Sequence, residues 1–124
     1  EPEQRVYFEK MKGDYYRYIC ENKEGDIEGI IEKASQCYQA GLDIARSELT
    51  STNPTFLGLV LNYSVFLYEI MDHKNEAIDL SQITFSDTVD LIDNTDDATY
   101  NETTMILHLL QTNHKNWINE RDNE

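Results

Sequence analysis

The sequence predicts an all-α protein of five helices, each antiparallel to its neighbours. Three observations predict it. Apolar residues recur with helical spacing along five segments. Short polar turns separate these segments, as in helical bundles. No segment shows a credible alternation of apolar and polar residues typical of a strand. A chain of 124 residues suits one domain or part of one, and it can bury a core.

The first two predicted helices precede the most apolar part of the chain. The first covers residues 4–22, and Gly13 inside it costs up to about 1 kcal/mol relative to alanine. Packing must therefore hold that helix together. The second begins near Asp26, a good capping residue, and ends before the polar run 50–53.

The third predicted helix opens with Asn53 and Pro54, a capping residue followed by proline at the first helical position. It extends to Met71 and is apolar around most of its circumference, so it should be the most buried helix. The fourth covers residues 76–92. The fifth covers residues 97–119, with Asp96 as its cap.

The composition limits the classes of partner that the protein is expected to bind. A net charge of −14 argues against nucleic acid and against an anionic membrane surface, and it favours basic or neutral peptides. No apolar run approaches the length of a membrane span. Cys20 and Cys37 form no CxxC pair and are too few for a disulfide scaffold. We therefore expect a reduced, cytoplasmic environment.

Residues typical of catalytic or metal sites are not spaced for such chemistry. His73, His108 and His114 lack the spacing of metal ligands, and no nucleophile stands with an identifiable base. We therefore expect no metal, no cofactor and no enzymatic activity.

A cationic pair stands on the first predicted helix. Lys10 and Arg17 are two turns apart and fall within roughly 20° of each other on the helix surface. Tyr18 flanks them, so the three side chains could hold a dianion such as phosphate. The alternative is that they are solvated charges, with Arg17 paired to Asp14 and Glu21.

Two asparagines stand on apolar helix faces. Asn62 on the third helix lies two turns from Glu69, and Asn113 is set into an apolar stripe on the fifth. An asparagine amide is both donor and acceptor, so it can grip one peptide group of an extended ligand. The alternative is that both amides bond to neighbouring helices and that Trp117 is core. The apolar neighbours of the two asparagines are Leu61, Val65, Ile106, Leu109, Leu110 and Trp117.

Three blocks carry a resemblance to a known family. Residues 10–18 read KMKGDYYRY, residues 57–69 read LGLVLNYSVFLYE, and residues 100–117 contain Leu109, Leu110 and Asn113 at matching places. Over nearly all 124 residues the chain resembles the C-terminal half of a 14-3-3 protein. The resemblance implies the C-terminal five helices of a 14-3-3-type bundle with a concave groove.

The resemblance also implies a function. The chain would belong to a regulatory adaptor of signal transduction that binds phosphoserine or phosphothreonine peptides and has no enzymatic activity. By position, Arg17 and Tyr18 would hold the phosphate with Lys10 nearby, and Asn62 and Asn113 would bond the peptide backbone. Leu61, Val65, Ile106 and Leu109 would form the apolar wall, with Glu69 and Trp117 at its polar edge.

A second hypothesis is a helical scaffold that binds non-phosphorylated partners through its concave face. Affinities for one peptide with and without phosphate distinguish the two hypotheses.

The chain also departs from the family pattern. The family's phosphate pocket uses a lysine and an arginine from an earlier helix, and the family dimerises through N-terminal helices. Neither part is in this chain, so we expect further residues before Glu1, through which the full protein forms homo- or heterodimers. His114 and Asn116 stand where the family usually has leucine, which indicates a divergent member. The expected partners are phosphorylated client proteins.

Overall fold

In a computed structural model, the described residues of the chain form five α-helices. They are α1 (Pro2–Glu21), α2 (Ile27–Glu48), α3 (Pro54–Glu69), α4 (Lys74–Val89) and α5 (Asp97–Asp122). The structure describes residues 1–22, 25, 27–92 and 97–123, and none of these residues lies in a strand. The all-α prediction is confirmed. The predicted caps Asp26 and Asp96 lie outside the described residues.

The helix ends follow local chemistry. The Asn53 side chain accepts hydrogen bonds from the backbone N–H groups of Thr55 (2.8 Å) and Phe56 (3.4 Å), so the predicted cap of α3 is confirmed. Helix α4 ends at Val89, three residues before the predicted end. There the backbone N–H of Leu91 donates to the carbonyl of Thr88 (3.0 Å), which replaces the continuing helical pattern with a turn.

Helix α3 is the centre of the protein, as its apolar circumference predicts. It packs against each of the other four helices. Its buried residues are Leu57, Leu59, Val60, Tyr63, Ser64, Phe66, Leu67 and Tyr68. The ring of Tyr38 from α2 packs against two of them, with centroids 5.4 Å from Tyr63 and 5.3 Å from Phe66. The hydrophobic core is therefore built around α3.

A glycine allows α1 and α2 to approach closely. A Cβ atom at Gly13 would lie 2.8 Å from the Tyr38 ring, closer than real Cβ contacts come. The Tyr38 side chain thus occupies the space that any larger residue at this position would fill. Packing against Tyr38 holds Gly13 in the helix, as the sequence requires. In the described part of the chain, no helix is long and apolar enough to cross a membrane.

We expect Gly13→Ala to lower the free energy of unfolding by about 1–3 kcal/mol, because overpacking against Tyr38 outweighs the helix propensity of alanine. Gly58→Ala is the matched control. A Cβ there meets only the Lys10 Cε atom, at an ordinary 3.6 Å. Gly58→Ala should therefore raise stability by about 0.5–1 kcal/mol. Urea unfolding measures both, and equal effects of the two substitutions would contradict the assignment.

Candidate functional site

A carboxylate joins three helices at one polar cluster. Asp14 on α1 accepts a hydrogen bond from the Tyr38 hydroxyl on α2 (2.6 Å). Its second oxygen, Oδ2, accepts from Lys10 Nζ (2.9 Å) and from Asn62 Nδ2 on α3 (3.0 Å). We call these four residues, together with Arg17, the Asp14 cluster. All five side chains are partly or fully buried, so solvent screens their interactions less than it would on the open surface.

Arg17 joins the cluster through a backbone group. Its Nη1 atom donates to the carbonyl oxygen of Asn62 at 3.3 Å. Its Nε atom is buried and, among the described residues, has no hydrogen-bond partner. The Glu21 carboxylate lies 4.0 Å from Nε, which is an ion pair but too long for a hydrogen bond. The guanidinium therefore lies on the surface of α1 that faces Asn62.

The charge pairing agrees in part with the alternative that the sequence offered, because Arg17 pairs with Glu21 while Asp14 pairs with another residue. Asp14 pairs with Lys10, four residues before it, and in the part of the chain that the structure describes it forms no ion pair with Arg17. Both spacings suit a helix, so the sequence does not decide between them. Asp14 pairs with Lys10 while Tyr38 and Asn62 bind the same carboxylate from other helices.

Two members of the cluster were missed by sequence reasoning. Neither Tyr38 nor Asp14 is among the predicted site residues, and the sequence offers Asp14 only as an alternative ion-pair partner of Arg17. The available signal was the phenol on the apolar face of α2, because a buried tyrosine hydroxyl usually finds a partner. Burial, and next the hydrogen bond to Asp14, raises the pKa of Tyr38 above its ordinary value of 10.0.

The remaining predicted phosphate residue lies on the surface. Tyr18 follows Arg17 directly and is 64% exposed. Lys10, by contrast, has a side chain only 19% exposed and is held by Asp14 at the inner side of the same helix. The structure thus joins Lys10, Arg17 and Asn62 in one network, with Tyr18 beside it on the open face of α1.

The second asparagine predicted to bind a peptide backbone is not part of that network. Asn113 on α5 is partly buried, and no hydrogen bond joins its side chain to any residue that the structure describes. This differs from the alternative that both asparagines bond to neighbouring helices, which holds only for Asn62. Helices α3 and α5 pack against each other. The predicted wall residues on these two helices are partly buried (Leu61, Val65, Ile106) or exposed (Glu69, and Leu109 at 45%).

Trp117 is a core residue. It is 6% exposed, and its ring stacks on Tyr68 with centroids 4.6 Å apart and planes 11° from parallel. The Tyr68 hydroxyl in turn donates to the Glu120 carboxylate. The alternative interpretation, in which Trp117 is core, therefore describes its packing. Its contact with a peptide stays a prediction.

Among the described residues, no group of three or more histidine, cysteine, aspartate or glutamate side chains could hold a metal ion.

The protein is an all-α helical bundle. Two cations, Lys10 and Arg17, lie with the amide of Asn62 where α1 packs against α3. The family model described as "14-3-3 protein" matches residues 1–118 of this bundle. The chain belongs to the 14-3-3 family.

Three similar proteins come from different organisms. The chain is 39% identical over 118 residues to 14-3-3-like protein 1 of Caenorhabditis elegans, covering 95% of this chain and 48% of the relative. It is 42% identical over 120 residues to the 14-3-3 protein of Eimeria tenella, covering 95% and 43%. It is 43% identical over 122 residues to 14-3-3 protein I of Plasmodium falciparum (isolate 3D7), covering 97% and 46%. The chain thus spans about half the length of these relatives.

We expect stability to fall at high pH because folding raises the pKa of Tyr38. A raised tyrosine pKa stabilises the fold below the unfolded value of about 10, and this stabilisation is lost as the pH rises above it. The slope should reach about 1.4 kcal/mol per pH unit for one such group. Tyr63, whose pKa is also raised by burial, adds to it.

The Tyr38→Phe variant should be less stable at neutral pH and should show a shallower slope above about pH 10. The exposed Tyr7 supplies the control, because Tyr7→Phe should keep the parental slope. Urea unfolding at several pH values measures both effects. An unchanged slope in Tyr38→Phe would refute the assignment.

Proposed function

We propose that the protein containing this chain is a regulatory adaptor that binds phosphoserine and phosphothreonine peptides and has no catalytic activity of its own. The observation that carries the proposal is the position of the Arg17 guanidinium, which lies against Asn62 of the central helix. Membership of the 14-3-3 family supports it.

The guanidinium has donors available for a phosphate. Nη1 is bound to a neutral carbonyl, Nη2 has no hydrogen-bond partner among the described residues, and the buried Nε lies 4.0 Å from the Glu21 carboxylate. Planar guanidinium groups bind phosphate through paired, charge-assisted hydrogen bonds. The Lys10 ammonium has three N–H donors, and one of them donates a hydrogen bond to Asp14. We propose that Arg17 and Tyr18 bind the phosphate and that Lys10 adds charge from the side.

The Asn62 amide is oriented for a peptide backbone. The Asp14 carboxylate can only accept hydrogen bonds, so it holds the Asn62 NH₂ group toward α1. The Asn62 Oδ1 atom is then the group available to a backbone N–H of the ligand. We propose that Asn113, on the neighbouring α5, binds a second peptide group of the same extended ligand.

Apolar side chains flank both amides. Leu61 and Val65 on α3 are partly buried, as is Ile106 on α5, and Leu109 is 45% exposed. We propose that they form the wall on which peptide side chains rest, with Glu69 and Trp117 at its polar edge. Such a wall adds apolar contact without a sequence requirement, which suits an adaptor with many clients.

The chain spans about half the length of its relatives. We propose that helices preceding α1 add a lysine and an arginine to the phosphate pocket. We also propose that they form homo- or heterodimers, so that one adaptor holds two phosphorylated sites. We place this protein in the cytoplasm, with no role for nucleic acid, membranes, metals or cofactors.

A scaffold for non-phosphorylated partners is the second candidate. Exposed apolar side chains along α1 favour it, because they can contact a partner that carries no phosphate. These side chains are Tyr7, Phe8, Met11 and Tyr15. A phosphoserine peptide and its serine counterpart, compared by fluorescence anisotropy, distinguish the candidates. A preference of about tenfold or more for phosphate supports the adaptor. Equal affinities would support the scaffold.

We expect Arg17→Ala to weaken phosphopeptide binding by about 30- to 100-fold, because a charged bidentate contact is lost. Arg17→Lys should recover only part of the loss, since an ammonium cannot bind bidentately. Arg5→Ala, which removes an exposed arginine of the same helix, is the control and should bind like the parent. Anisotropy with a labelled phosphoserine peptide measures all three. Unchanged affinity in Arg17→Ala would remove the phosphate role.

We expect Asn113→Ala to weaken binding by about five- to tenfold for every phosphopeptide, because a backbone contact does not depend on flanking residues. Asn116→Ala is the matched control, since Asn116 is an exposed asparagine of the same helix. The measurement uses three phosphopeptides with unrelated flanking sequences. A loss confined to one of them would contradict backbone recognition.

A further inference from the structure

A cavity of about 250 Å³ lies between α4 and α5, outside the Asp14 cluster. Its walls are formed by side chains from two helices that pack against each other. The lining residues are Ser81, Gln82, Phe85, Gln111, His114 and Lys115.

The charge of this cavity is opposite to that of the protein. The chain has 24 acidic and 10 basic residues. Three carboxylates, Asp43, Glu76 and Asp79, line a larger cavity of about 480 Å³ between α2 and α4. No carboxylate is among the described residues that line the α4–α5 cavity, which instead has an ammonium, an imidazole and two amides. Its polar groups are suited to donate hydrogen bonds to an anion.

A hydrogen bond orients the imidazole. The Ser81 hydroxyl donates to the carbonyl of Ile78 at 2.9 Å. Its oxygen can then only accept from His114 Nδ1, which lies 3.3 Å away, so Nδ1 carries the proton. This leaves His114 Nε2 as the ring nitrogen for a ligand. With Nδ1 protonated, Nε2 donates to an anion only in the imidazolium form, so binding of an anion is coupled to uptake of a proton at Nε2, and the Lys115 ammonium on the same helix adds a second positive charge.

The volume of the cavity and the ring of Phe85 limit the class of ligand that it can bind. The volume is below the roughly 300–1,000 Å³ of pockets for drug-sized molecules and above the roughly 150 Å³ that accepts benzene. A flat ring can pack against Phe85 while its acid group faces His114 and Lys115. We propose that this cavity binds a small aromatic carboxylate.

The cavity is separate from the proposed peptide site. With about 3.6 residues per helical turn, Gln111 and Lys115 each lie about 160° around α5 from Asn113. The two sites therefore use different sides of the same helix. Failure of one proposal leaves the other in place, because each has its own ligand and its own variants.

Benzoate and its neutral isostere benzamide test the proposal on the 124-residue chain. Titrations followed by the NMR signals of the Gln82 and Gln111 side-chain amides report binding in the cavity. We expect saturable shifts with benzoate and at least about tenfold weaker binding of benzamide, which lacks the charge. Equal affinities, or no saturable shift with benzoate, would overturn the proposal. Inorganic phosphate that bound as tightly as benzoate would refute the contact with the Phe85 ring.

Substitutions in the cavity lining, each with a matched control, identify the residues that contact benzoate. His114→Leu and Lys115→Gln should each weaken benzoate binding by about fivefold or more. His108→Leu and Lys33→Gln remove an exposed histidine and an exposed lysine that do not line the cavity, and both should bind like the parent. Circular dichroism confirms that each variant is folded. Parental binding by both His114→Leu and Lys115→Gln would also overturn the proposal.

Discussion

The Asp14 carboxylate is the interaction on which the arrangement of α1, α2 and α3 depends. It accepts hydrogen bonds from Lys10, Tyr38 and Asn62, one group from each of the three helices. A partly buried carboxylate is stable only when such donors surround it. The Tyr38 ring that reaches it also fills the space over Gly13. Hydrogen bonding and close packing therefore fix the same contact between α1 and α2.

Much of the fold could be predicted because it follows from local chemistry and periodicity. The continuous apolar surface of α3 requires partners on all sides, and the structure gives it four. Asn53 and Pro54 define the start of that helix through the cap and the first helical position. The end of α4 was predicted less well, since the apolar residues Leu91 and Ile92 continue the helical spacing beyond the last helical residue, Val89.

The site was harder to predict, for a physical reason. Helical spacing places Lys10, Asp14 and Arg17 close together but gives Asp14 two possible cations, at i−4 and i+3. The choice depends on Tyr38 and Asn62, which lie 24 and 48 residues away in sequence. Likewise, the spacing of Trp117 suits a groove edge or a core position. Only its stacking on Tyr68 distinguishes them. Contacts between distant segments were thus the information that the sequence pattern lacked.

The pairing of Asp14 with Lys10 has a consequence for Arg17. Because three donors from three helices occupy the carboxylate, Arg17 is bound instead to the neutral carbonyl of Asn62, with Glu21 at 4.0 Å. Among the described residues, its ion pair is with the exposed carboxylate of Glu21, in a chain whose net charge is −14. An arginine paired to Asp14 would have to exchange one anion for another to bind phosphate. An arginine held mainly by a carbonyl has less anionic contact to exchange, which supports the phosphate-binding role that we propose for Arg17.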